Sequence, residues 1–317
     1  ALDSLATQTL RNWELLLVNN GATDGTMHLA AARAENDRRI RLLNMDDADL
    51  VGALNWGLAA TRGPLVARMD ADDEMHPDRL AEQVEALEIN PTWGLVGSGV
   101  DFGGDASAQA GYAAHVAWLN GQISPLQIRL ARFVESPFAH PSVMWRREVS
   151  ESHGGYRAGD FPEDYELWLR WLDAGVVMGK VPRSLLIWHD SPGRLSRADS
   201  RYRPEAFYAL KARFIATELA RTGNGREVWI AGSGRPTRQR AGGLERHGVV
   251  PVGYADVAPR KIGQSINGRP VVSPGQLPAP DRVVVLAYVG NRGARKKLRA
   301  LFTQQGRVEG KDFWLCA

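Results

Sequence analysis

At 317 residues the chain can bury two separate cores, and its 44% hydrophobic and 24% charged residues are those of an ordinary globular protein. No apolar run reaches the ~18 residues of a membrane span, no signal peptide pattern opens the chain, and the net charge of +3 is mild. The single cysteine, Cys316, excludes an internal disulfide and fits a reducing, cytoplasmic compartment.

Residues 2–9 read as the end of a helix, and 13–18 as a buried strand. That strand ends in the turn-rich run Asn19-Asn20-Gly21-Ala22-Thr23-Asp24-Gly25-Thr26, which leads into a helix through Ala34. A short strand over 41–43, the acids Asp46, Asp47 and Asp49, and a helix over 50–60 containing Asn55 and Gly57 follow. Next, an apolar strand from Leu65 breaks at Arg68 and runs into Asp70, Asp72 and Asp73. Pro77 and a helix with Leu80, Val84 and Leu87 on one face come after it. Carboxylates packed where a strand meets a loop repel one another unless a cation lies between them. Magnesium or manganese suits that place, since each takes a few carboxylates and leaves positions for phosphate oxygens. A solvated acidic turn that caps the helix is the alternative.

A strand over 93–98 leads into a glycine-rich connection through Gly111, and 112–135 is expected to be an amphipathic helix. Phe138-Ala139-His140-Pro141-Ser142-Val143-Met144, Arg146-Arg147 and Gly154-Gly155-Tyr156 precede a helix that begins at Pro162. Glu163 and Asp164 lie in its first turn, where the helix dipole favours carboxylates. Trp168, Trp171 and Leu172 have the spacing of a core face. Beyond a strand over 184–188, His189 and Arg194 stand on a polar loop that could close over a pyrophosphate, with His189 as a metal ligand or donor.

A helix over 201–222 ends near Gly223-Asn224-Gly225, and 201–225 is expected to be a helical linker. Residues 226–317 change rhythm: a strand at 228–231, the turn Gly232-Ser233-Gly234, a helix over 237–247, and strands at 249–254, 283–289 and 313–315. Strand, Gly-x-Gly, helix, strand and Asp256 make a Rossmann-like unit, although Arg238 stands where the dinucleotide fingerprint has its third glycine. Arg292, Arg295, Lys296, Lys297 and Arg299 lie on a helix over 292–305; no aromatic platform is interleaved with them, so no nucleic-acid partner is expected.

Three blocks resemble family 2 glycosyltransferases: Ala67-Arg68-Met69-Asp70-Ala71-Asp72-Asp73 with Pro77, Arg79-Leu80 and Gln83; the run from Ser4 to Thr26; and Gly154-Gly155-Tyr156 followed by Glu163-Asp164 and Leu167-Trp168. The resemblance covers about residues 2–200 and implies an α/β fold with a nucleotide-sugar-binding domain of the GT-A type over 1–200, without its first strand. It implies an inverting, metal-dependent transfer from a nucleotide sugar, a UDP-sugar, to a hydroxyl of a glycan or lipid-linked acceptor in polysaccharide, lipopolysaccharide or glycolipid assembly. By this match Asp70 holds the donor ribose, Asp72 the Mn2+ or Mg2+ ion with Asp73 in support, and Asp164 is the general base. Asn20 takes the place of a base-reading acid, and Asn55, Arg194 and His189 complete the donor and metal residues. Residues 226–317 resemble small Rossmann-like domains that accompany sugar-modifying bacterial enzymes, sugar acyltransferases among them. The inner face of the membrane and homo-oligomers are compatible settings, with an open sheet edge as a reason to associate. A degenerate, non-catalytic sugar-nucleotide binder is the rival reading, favoured by Asn19-Asn20. A sugar nucleotidyltransferase is excluded, because too few residues follow the one glycine-rich loop, Gly232-Ser233-Gly234-Arg235.

Overall fold

The computed structural model describes residues 1–45, 49–105, 109–190 and 199–317. It divides into two compact units, Ala1–Pro125 with Phe138–Ala198, and Leu126–Pro137 with Asp199–Ala317. Among the described residues, no helix is long and apolar enough to cross a membrane.

In the first unit, strands β1 (Leu15–Asn20) and β2 (Ile40–Met45) pair in parallel around the helix Thr26–Asn36. A five-stranded mixed sheet is built from β3 (Leu65–Ala67), β4 (Glu74–Met75), β5 (Trp93–Phe102), β6 (Met144–Arg146) and β7 (Val177–Trp188) in the order β3-β6-β5-β7-β4. β3 and β4 are close in sequence yet lie on opposite edges of this sheet. The residues between them must therefore cross the ends of three strands. Four strand spacings are ~19 Å, and the seven steps from Ala67 to Glu74 reach at most ~25 Å. The crossing nevertheless carries a turn at Ala71-Asp72, where the Asp73 N–H faces the Asp70 carbonyl at 3.4 Å, and this turn gathers the acids over the end of the sheet.

Beneath the crossing, Val96, Met144, Leu80, Leu87 and Met75 form one buried cluster. The helix Glu163–Asp173 buries Trp168 and Trp171 fully, their rings 5.7 Å apart, so both are core residues, in line with their spacing. β5 runs to Phe102, four residues into the expected glycine-rich connection, with Gly99 so near the main chain of Arg183 that a Cβ would stand 3.1 Å from its carbonyl oxygen. The expected helix over 112–135 is two helices, Ala110–Asn120 and Pro125–Ala131. Asn120 ends the first by turning its carboxamide onto the N–H and C=O of Val100, and Pro125 opens the second. β7 starts seven residues before the expected strand; Pro182 is accommodated at a bulge, where the register with β5 shifts between Ser98 and Gly99.

The second unit holds β8 (Glu227–Ala231), β9 (Gly253–Ala255), β10 (Ser265–Ile266), β11 (Arg269–Val272), β12 (Val283–Ala287) and β13 (Phe313–Leu315) in the order β10-β11-β9-β8-β12-β13. β10 pairs antiparallel with β11, and the other pairings are parallel. From β8 the chain moves outward to β9 and β11 and then returns to β12 on the other side, the switch of a Rossmann-like sheet. The helix Pro204–Thr222 gives this unit Leu210, Ala212, Phe214 and Ile215 as core residues. The boundary therefore differs from the expected one: 201–225 is packed rather than linking, because residues 126–137 return to pack in the same unit. Lys211 on that helix donates to the carbonyls of Val134 and Cys316, both at 3.1 Å.

Candidate functional site

The crossing from β3 to β4 carries the acids. Arg68 N–H donates to Val143 O at 3.0 Å, which fixes where the chain leaves β3. Arg79, fully buried in the first turn of the helix Arg79–Ile89, supports the crossing from below. Its guanidinium donates to Arg68 O at 2.7 Å and to Gln83 Oε1 at 3.1 Å. Gln83 in turn donates to Ser142 O at 2.8 Å and Val96 O at 3.2 Å. Burial pulls the Arg79 guanidinium down to about 9, against the opposing pull of Asp73.

On this support, ligand oxygens of Asp70, Asp72 and Asp73 lie within 4.8 Å of one another. Asp72 is exposed, Asp73 is 1% exposed, and Asp73 Oδ1 accepts the His189 N–H at 2.9 Å. Arg68 donates to Asp70 Oδ1 at 2.5 Å and to the Met69 carbonyl. Three hard oxygen donors at this spacing fit magnesium or manganese and have no soft ligand among them.

A second acidic group stands at the head of the helix Glu163–Asp173. Glu163 is 3% exposed, whereas Asp164 is half-buried and takes the Tyr165 N–H on Oδ1 at 2.7 Å. The two groups share one electrostatic neighbourhood. Burial works against the Arg68 charge, but Asp70, Tyr156 and Glu163 outweigh it and hold the guanidinium above its ordinary range. Burial also pushes the Tyr156 hydroxyl up, with Asp164, Glu163 and Asp70 adding to the push and Arg68 opposing it.

The other expected site residues are placed as follows. Asn20 Oδ1 accepts the Asp49 N–H at 2.7 Å, so its oxygen is engaged by the chain itself. Asn55 donates to Tyr156 O at 3.0 Å and accepts Tyr156 N–H at 2.9 Å, a two-way latch on the main chain. Gly155 lies so close to Asn55 Oδ1 that a Cβ there would stand 2.5 Å from it. His189 Nε2 lies 2.9 Å from Glu74 Oε1, and His189 is not among the clustered carboxylates. Arg194, like Asp46 and Asp47, lies outside the described residues.

Sequence reasoning gave no role to Arg68, Arg79, His140, Tyr156, Glu166 or Arg170. Two signals were available: Arg68 is a charge that breaks off an apolar strand, and Glu166 and Arg170 are spaced i,i+4 on one helix. Glu166 is fully buried and accepts the Arg170 Nε–H at 3.1 Å, while Arg170 also donates to Gly155 O at 2.6 Å.

In the second unit, Gly232 has φ of +92° and opens the Gly-x-Gly turn. Asp256 does not stand free for a ribose. Its carboxylate accepts the Ser233 N–H at 2.9 Å, the Ser233 hydroxyl at 2.6 Å, the Ala258 N–H at 3.0 Å and the Lys261 ammonium at 2.9 Å. Burial would raise this acid, but those donors hold it down at about 2. The N–H that a phosphate-binding turn would present to a ligand is given to the protein's own carboxylate.

The sequence profile described as glycosyl transferase family 2 matches residues 1–154. EpsE of Bacillus subtilis is 30% identical over 195 residues, 55% of this chain and 62% of its own length. The amylovoran biosynthesis glycosyltransferase AmsE of Erwinia amylovora is 30% identical over 187 residues, 58% of this chain and 67% of its own. Among solved structures, residues 1–349 of TarS from S. aureus, in complex with UDP-GlcNAc, superpose with a TM-score of 0.53 at 16% identity, over 69% of this chain and 61% of that one. That likeness is one of fold. The chain thus spans about three fifths to two thirds of the length of these three proteins. On the family profile and the identity to relatives it covers this far, the chain belongs to glycosyltransferase family 2.

Proposed function

We propose that the first unit transfers a sugar from a nucleotide-sugar donor to a hydroxyl of a glycan or lipid-linked acceptor, with inversion at the anomeric carbon. The observation that carries the reading is the gathering of Asp70, Asp72 and Asp73 within 4.8 Å, in a chain of this family. Asp72, with Asp73 in support, would hold a manganese or magnesium ion, which when bound offsets negative charge on the leaving nucleoside diphosphate, and Asp70 would hold the donor ribose. Asp164 takes the proton of the acceptor hydroxyl as the oxygen attacks the anomeric carbon and the bond from that carbon to the diphosphate oxygen breaks. A half-buried carboxylate in the first turn of a helix suits that work, because the dipole favours its ionised form. Arg68 and Arg79 keep the acidic crossing in place beside it. The name of AmsE, which places that protein in amylovoran biosynthesis, supports polysaccharide assembly as the setting.

The test is thermal unfolding with a panel of UDP- and GDP-sugars, with manganese and with chelator. A donor at ~100 times its dissociation constant adds ~2.7 kcal/mol of apparent stability. The reading requires a donor-dependent rise in Tm that disappears with chelator. A rise that is equal under both conditions would refute the metal site, and no rise with any donor would refute donor binding.

A further inference from the structure

At the carboxyl ends of β5 and β7 a group of aromatic side chains lies beside the acidic crossing. The two strands run parallel, and their register sets Phe102 opposite Trp188. Val100 and Leu186, two residues earlier on each strand, are buried in one cluster with Val116 and Leu119 of the helix Ala110–Asn120. Alternation along a strand turns Phe102 and Trp188 to that same side. There Tyr112, in the first turn of the helix, has its ring centroid 5.1 Å from Phe102 and 5.4 Å from Trp188. The His115 ring lies 6.0 Å from Tyr112, and Trp118 lies 6.0 Å from His115.

Four contacts tie this group to the carboxylates. Met69, the residue before Asp70, packs against the same cluster. Ile187 pairs with Glu74, where the crossing ends. Trp188 precedes His189, whose N–H donates to Asp73 Oδ1 at 2.9 Å. Trp188 O accepts the Gly103 N–H at 2.9 Å, which joins the ends of the two strands.

These aromatic side chains are half-buried, whereas Trp145, Trp168 and Trp171 of the same unit are 2% exposed or less. Large rings left partly covered at the carboxyl ends of parallel strands stand where α/β folds bind their ligands. Tyr112 is inclined by 45° to Phe102 and by 47° to Trp188, so these rings do not close face to face on one another. No member of the group is a lysine or arginine that could meet a phosphate. Aromatic faces combined with hydroxyl, indole N–H and imidazole groups match a ligand with apolar faces and a hydroxylated rim. A pyranose ring has that build, and a lipid chain lacks the rim.

We propose that Tyr112 and Trp188, flanked by Phe102, form a platform on which a pyranose ring of the acceptor lies, beside the Asp70–Asp73 crossing. The inference rests on the transfer function proposed above and names what the acceptor presents to the protein: a sugar ring, in a free glycan and in a lipid-linked one alike.

The experiment uses the full chain with magnesium and the donor that stabilises it best in the thermal panel. The probes are methyl α- and β-pyranosides of glucose, galactose, mannose, N-acetylglucosamine and rhamnose, with n-decyl phosphate as the lipid arm. Saturation-transfer NMR reads probe binding, and calorimetry reads donor affinity. At least one pyranoside should bind, with its ring C–H protons saturated. Tyr112→Leu and Trp188→Leu keep apolar bulk and remove the flat ring, and each should raise the dissociation constant of that pyranoside about tenfold. Donor affinity should stay within about twofold. Tyr112→Phe should bind nearly as the parent does, and Trp188→Phe should lose less than Trp188→Leu. Binding of no pyranoside, equal binding by parent and both Leu variants, or binding of n-decyl phosphate in place of the pyranosides overturns the inference. Equal losses in the Phe and Leu variants, or a loss of donor affinity in the same proportion, also overturn it, since they mark a purely structural role. A parent that binds a pyranoside and no donor overturns the transfer reading, and the acceptor platform with it. A parent that binds donor and no pyranoside overturns this inference alone.

Discussion

Both units place aspartates where strands of a sheet end, and they treat them in opposite ways. Asp256 in the second unit is met by four donors, one of them the Lys261 ammonium. In the first unit, Asp70, Asp72 and Asp73 crowd within 4.8 Å of one another, with the Arg68 guanidinium on Asp70. A carboxylate saturated by its own protein is a staple: it closes the Gly232–Gly234 turn and occupies the Ser233 N–H and hydroxyl. Three carboxylates held together against their repulsion are where the proposed cation would bind. The difference lies in the donors around each acid, and not in the acid or its position on a strand end.

Four expected outcomes test this contrast. The largest is at the cluster. Asp72→Ala should abolish chelator-sensitive donor binding, because Asp72 is the exposed member of the group, while Tm without ligand stays level or rises as repulsion is relieved. Calorimetry of manganese and donor with parent and variant decides it, and unchanged affinity would move the metal site elsewhere. Next, Asp164→Asn should lower turnover by a factor of ~10² or more at nearly constant donor affinity, and Glu163→Gln should lose less. Near-parent turnover in Asp164→Asn would remove it as the base.

Smaller effects belong to the staple. Asp256→Asn should destabilise the second unit by about 2 kcal/mol and leave donor affinity untouched. Hydrogen exchange resolved over residues 227–261 measures this; loss of donor affinity instead would make the turn a ligand site. The pH dependence has a definite sign. Because the folded-state pKa of Asp256 is lowered to about 2 from an unfolded value of ~3.9, its stabilisation is complete above about pH 4 and fades as pH falls through about 2. In Asp256→Asn that part of the acid sensitivity of residues 227–261 should be absent.

Sequence alone determined much of this protein. The order of the blocks around Asp70, Tyr156 and Glu163-Asp164 revealed the family, because each block combines a strand end, turn or helix start with residue types that ordinary packing does not require there. Periodicity located the helix at 50–60 and the helix that carries Leu80, Val84 and Leu87, since each has an apolar face or strong boundary residues. The strand over 177–183 was illegible: Gly179, Lys180 and Pro182 argue against one, and only parallel pairing with β5 and a bulge make it possible. The break at Asn120 was hidden because its carboxamide serves a strand residue, Val100, that is distant in sequence.

What tertiary structure alone decided is which polar groups answer each other. Asn55 reads in sequence as a donor-binding residue, and in the fold it holds the main chain of Tyr156. Asp256 follows the second strand of a Rossmann-like unit in sequence, and in the fold it staples the Gly232–Gly234 turn by accepting the Ser233 N–H. His140 and Tyr156, sixteen positions apart, carry no joint signal until the chain returns between them. The physical reason is common to all three. Residue type and spacing fix what a side chain can bind, whereas its partner is set by donors and acceptors from remote segments, and burial makes each such choice costly to reverse.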